Sequence, residues 1–110
     1  MAYGFNDDKS KAEIFNSFKV ERIVVASSVS IAAKGTVGTP RVDVSEQGYK
    51  ALGIVGSAYK MVAGSNDLTG EIRTLRLDTE TQEIVWTFRN PESTAGTLNY
   101  LWAYVLYVKE

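Results

Sequence analysis

Ser57 and Lys60 stand at the S-x-x-K spacing of serine acyl-enzymes, in which one helical turn brings a lysine amine to a serine hydroxyl. Here the pair falls in strand-like sequence, and residues three apart on a strand point to opposite faces, so the spacing does not build that hydrogen bond. Asn66, Asp67 and Glu71 offer oxygens to a calcium ion, but the twelve-residue ligand pattern is missing and Asn-Asp is ordinary turn chemistry. Two carboxylate groups invite an acid–base reading: Asp7, Asp8 and Glu13, and Glu80 with Glu83. Both lie in polar segments that read as solvated faces. Gly48, Gly53 and Gly56 do not make a phosphate loop, because Ile54 stands where a Walker loop carries lysine. The chain has no histidine and no cysteine, which removes the common zinc sites, cysteine nucleophiles and Ser-His-Asp triads. The expectation is a protein that is not an enzyme and uses no cofactor and no metal.

What remains is aromatic. Six Tyr, four Phe and two Trp are present, and Tyr and Trp combine an apolar body with a polar handle suited to interfaces or sugar rings. The most concentrated group lies in residues 98–108, LNYLWAYVLYV, a run with no charge. As a strand it sends Leu98, Tyr100, Trp102, Tyr104, Leu106 and Val108 to one face and Leu101, Ala103, Val105 and Tyr107 to the other. Both faces need cover, and a small domain struggles to supply it. Tyr100, Trp102, Tyr104 and Tyr107 are therefore the candidates for an oligomer interface.

The elements that must position them read as short strands. Residues 18–26, FKVERIVVA, suit a strand with a break in phase near Glu21 and Arg22. Residues 29–33 alternate before a turn at Lys34 and Gly35, and Pro40 belongs at an edge or bend, with residues 41–44 the firmer strand. Residues 48–59, GYKALGIVGSAY, are apolar on both faces, and their glycines imply bends, bulges or close backbone approach. Residues 64–70 and 91–97 read as polar loops, with Asn66, Asp67, Ser93 and Thr94 the candidate partner contacts. Ile84, Trp86 and Phe88 alternate cleanly against Glu83, Val85, Thr87 and Arg89. Seven or eight short strands at this spacing predict an all-β antiparallel sandwich, jelly-roll-like, over residues 14–110. Residues 1–13 read as an N-terminal arm or attachment segment, and the one place for a short helix is 8–15.

At 110 residues, 45% apolar and 23% charged, the composition is that of one globular domain. A net charge of −1 gives no electrostatic footprint for nucleic acid. The longest apolar run is too short for a membrane-spanning helix, and the opening MAYGFNDDKSKAE has no signal-peptide pattern, so neither membrane insertion nor Sec-type secretion is expected.

Three segments, MAYGFNDDKSK, GYKALGIVG and the closing VLYVK, resemble small proteins encoded in phage and prophage structural regions, including C-terminal modules of tail-fibre and baseplate proteins. The resemblance implies a β-sandwich head, often a homotrimer, made in the bacterial cytoplasm and acting as a virion component or in host attachment. Its partners would be further copies of itself, other virion proteins or a host-surface glycan. The chain departs from long fibres in having neither heptads nor a Gly-X-Y shaft. Two competing readings stay open at this point: a monomeric carbohydrate-binding module, and a small intracellular accessory protein that inhibits a host factor.

Overall fold

A computed structural model describes residues 17–110. The sequence readings for 1–13 and 8–15, and the Asp7, Asp8 and Glu13 group, lie outside the described residues. The chain forms eight strands, β1 (Phe18–Ile31), β2 (Thr36–Val37), β3 (Val42–Asp43), β4 (Tyr49–Ala63), β5 (Asn66–Leu68), β6 (Glu71–Asp78), β7 (Glu83–Arg89) and β8 (Gly96–Lys109). All pairings are antiparallel. The long sheet has the order β1-β8-β4-β5. In the small sheet β7 is central: β6 runs along one edge, while β2 and β3 take the two ends of the other. The result is the all-β, two-sheet antiparallel architecture that the strand pattern predicts.

Two of the strands are longer than the phase breaks in the sequence suggest. β1 fuses residues 18–26 with 29–31, and β4 fuses the GYKALGIVG segment with 59–63. Bulges absorb each break without ending the strand. In β1 the break falls at Val25 and not at Glu21 and Arg22: Val24 pairs with Trp102 and Ala26 with Leu101, leaving Val25 as the extra residue. Val25 and Ala26 are both buried as a result. In β4 the register shifts between Ala51 and Gly53 and again between Ile54 and Gly56, so Leu52 and Val55 are the extra residues.

The core lies between the sheets. Ile84, Trp86 and Phe88 of β7 face Leu101, Ala103, Val105 and Tyr107 of β8, and all of these are buried. Burying a large apolar side chain stabilises the fold by about 1.5–3 kcal/mol, so the clean alternation of β7 specifies which way the small sheet faces. Trp86 keeps its polar handle satisfied by donating from Nε1 to the Pro40 carbonyl at 2.7 Å, across the gap between β2 and β3. Tyr107 donates its hydroxyl to the Val44 carbonyl at 2.6 Å. Burial pushes the Tyr107 hydroxyl above its ordinary pKa, with the nearby Glu21 and Glu46 carboxylates adding to the effect. Because the folded state then holds this proton more tightly than the unfolded chain, stability falls as pH rises past about 10. Tyr107→Phe should flatten that alkaline limb in pH-dependent urea denaturation while lowering stability at neutral pH.

Two glycines have a defined structural duty. Gly64, at φ 63°, opens the two-residue turn that joins β4 to β5, the position at which a primed hairpin turn favours glycine. At Gly70 a Cβ would overlap the Phe88 ring, which Tyr59 holds edge-on at 5.1 Å. The Tyr59 hydroxyl also donates to the Gly70 carbonyl and accepts from the Gly70 amide, both at 3.1 Å. Gly70→Ala should therefore cost about 1–3 kcal/mol, as overpacking does elsewhere, seen as a lower urea midpoint with an unchanged slope.

Candidate functional site

The small sheet covers only the inner face of the long sheet. On the outer face the register sets out five rows, reading across β1, β8 and β4: Phe18–Val108–Lys50, Val20–Leu106–Gly53, Arg22–Tyr104–Gly56, Val24–Trp102–Ala58 and Ser27–Tyr100–Lys60. Phe18, Val20 and Val24 are 45%, 53% and 50% exposed, and the bulge residues Leu52 and Val55 are 43% and 59% exposed. Single exposed apolar residues mean nothing, but a contiguous patch on one sheet marks an interaction surface.

Tyr100, Trp102 and Tyr104 are brought together on this face, each half-buried among its neighbours. Tyr107 is not with them. It lies on the inner face and is 1% exposed, as the strand parity of β8 requires. Leu98, which a regular strand would send outward, is buried with the core. The parity flips at Ser28, whose φ is 56°, opposite Asn99, and β4 follows with a register shift between Lys60 and Met61.

Trp102 is held from both sides. Tyr100 stacks on the indole with ring centroids 4.0 Å apart and planes 17° from parallel. The Arg22 guanidinium sits 4.3 Å from the ring centroid. Two groups at these distances cannot share one face of the ring, so they sandwich it, and the guanidinium adds a cation–π attraction. Neither Trp is then open to stack on a sugar, since Trp86 is a core residue. A pre-ordered Arg–Trp–Tyr ladder has the composition of a protein-interface anchor.

The candidate contact residues of the two loops meet at one end of the molecule. Asn66 and Asp67 are paired in β5 and are not loop residues, whereas Ser93 and Thr94 are exposed in the β7–β8 connection. Between these segments lies a shallow depression of about 440 Å³, lined by residues of the β1 end, the β4–β5 hairpin and the β8 start. The 91–97 segment is not the open loop that its composition suggests. Asn90, fully buried, donates from Nδ2 to the carbonyls of Thr94 at 2.9 Å and Ala32 at 3.3 Å, and accepts from the Glu92 amide at 2.9 Å.

Several of the ionisable groups are engaged in structure. Ser57 pairs with Ala103 and Lys60 with Tyr100, which places them on opposite faces, as strand geometry demands. Glu83 reaches Arg41 at 3.5 Å, and Glu71 reaches Arg73 and Arg89 at 3.2 and 3.5 Å. Lys19 bridges Glu21 at 2.7 Å and Glu46 at 2.5 Å and lies 4.1 Å from the Tyr49 ring centroid. The hydrogen bonds to Glu21 and then Glu46 hold its pKa above that of an ordinary lysine. Among the described residues no three acidic side chains group closely enough to hold a metal ion, and no helix is long and apolar enough to cross a membrane.

Sequence reasoning found the aromatics of β8 and the glycines of β4, Gly53 and Gly56, as marks of bulges or close backbone approach, but missed Arg22 beside them. The i, i+2 series Phe18, Val20, Arg22 and Val24 was the available signal for it. Comparison with family models, with characterised proteins and with solved structures found no match to this chain.

Proposed function

We propose that this protein is a non-enzymatic assembly component that self-associates by covering the outer face of the long sheet. The observation that carries the reading is the row of exposed apolar residues, Phe18, Val20, Val24, Leu52 and Val55, flanking the half-buried Trp102, Tyr104, Leu106 and Val108. Its extent suits a stable interface. Three strands of about 14 residues, at ~3.3 Å per residue and ~4.8 Å between strands, span roughly 650 Å² before side-chain relief, close to the ~800 Å² per partner of a standard interface. The resemblance of MAYGFNDDKSK, GYKALGIVG and VLYVK to phage structural proteins supports a virion role, in the structure of the particle or in host attachment, with a homotrimer as the assembly. In that role the end carrying Asn66, Asp67, Ser93 and Thr94 stays outside the self-association face and is free for a second partner.

Sedimentation velocity across the micromolar range tests this directly. The reading expects a concentration-dependent oligomer, with three subunits at saturation. A monomer throughout would overturn it.

A further inference from the structure

From the register of the outer face, we infer that the copies pack with β1 of one against β4 of the next, about a symmetry axis running along the strands. This rests on the self-association reading above and specifies its geometry. An axis along the strands, two-fold or three-fold, keeps each row at its own level and exchanges the two flanking strands. Val20 of one copy then meets Gly53 of the next, Arg22 meets Gly56, and Val24 meets Ala58, because these residues share rows across β8. Within these rows the β1 side carries Val20, Arg22 and Val24 and the β4 side carries Gly53, Gly56 and Ala58, while the exposed β4 side chains Leu52 and Val55 sit at the bulges between rows, so the β1 side chains fit the hollows that these bulge residues flank.

The glycines strengthen the case because nothing within the subunit requires them. A Cβ at Gly53 would meet no atom within 4 Å, and at Gly56 it would make only ordinary contact, 3.6 Å from the Tyr104 ring. Neither is among the residues with positive φ, so the adjoining bulges do not need glycine either. Glycine weakens a strand, and where neither bend nor torsion explains it, close approach of another backbone does. The occupant that fits is a second copy, whose own β1 supplies Val20 and Arg22 at the matching level.

The chain has no cysteine, so engineered cysteines report cleanly. Val24 and Ala58 lie on either side of β8, about 10 Å apart at two strand spacings, beyond the reach of a disulfide within one chain. The Val24→Cys/Ala58→Cys double variant should therefore oxidise to covalent oligomers, while Val24→Cys alone should not. Gly53→Val should fold as stably as the parent in urea denaturation yet weaken association by about tenfold or more. Efficient cross-linking of Val24→Cys alone would overturn the inference, since it would put β1 against β1. A persistent oligomer with no cross-link in the double variant would overturn it while leaving self-association standing. A parent protein that stays monomeric would remove both.

Discussion

Asn90→Leu is expected to destabilise the fold by about 3 kcal/mol, seen as a lower urea midpoint at unchanged slope. Asn90 is the only polar residue among the fully buried ones described, and both the nitrogen and the oxygen of its side chain are hydrogen-bonded. Besides the side-chain bonds to Ala32, Thr94 and Glu92, its own amide donates to the Gly35 carbonyl at 2.8 Å. One side chain thus ties the β1–β2 turn to the β7–β8 connection, and leucine, of similar size, would remove all three of its side-chain bonds at once from a fully buried position. Asn90→Asp distinguishes hydrogen bonding from packing. At neutral pH a carboxylate would face the Thr94 and Ala32 carbonyls, so the loss should equal or exceed that of leucine. Burial raises that carboxyl's pKa, and its protonated form can donate again, so the aspartate variant should recover part of its stability as pH falls.

Val20→Asp/Val24→Asp is expected to weaken self-association by ~100-fold or more while leaving the subunit folded. Both side chains are about half exposed in the isolated subunit, so their replacement removes little from its core. In the assembled state the same positions are covered, and two carboxylates there lose hydration without partners. Arg22, between them, can offset only part of that cost. Light scattering reads the loss of mass, and urea denaturation under monomeric conditions reads the unchanged subunit.

The comparison of these two variants marks what was legible in the sequence. The alternation of Ile84, Trp86 and Phe88 and the two-sided apolarity of β8 follow from a period of two, and the structure keeps both. Strand boundaries were less legible because a bulge and a strand end produce the same phase break. The extra residues Val25, Leu52 and Val55 become visible only once the partner strand fixes the register. The Asn90 latch was hidden for a related reason: Asn-Pro reads locally as a strand terminator, whereas its hydrogen bonds run to Ala32, 58 residues away. Lys19 with Glu46, 27 residues apart, was equally out of reach. At the candidate site, the aromatics announced themselves by type. The opposition of Val20, Arg22 and Val24 to Gly53, Gly56 and Ala58 needed β1 and β4 to be placed on opposite sides of β8.

The accessibility of Trp102 tests the central claim most directly, because Trp86 is shielded in the core in every state. Acrylamide quenching of tryptophan fluorescence across a dilution series should show Trp102 protected at high protein concentration. It should become accessible on dilution, reaching the value of the Val20→Asp/Val24→Asp subunit. Trp102 as open to the quencher at the highest concentration as in that variant would contradict the assignment of the outer face as the surface through which the protein assembles.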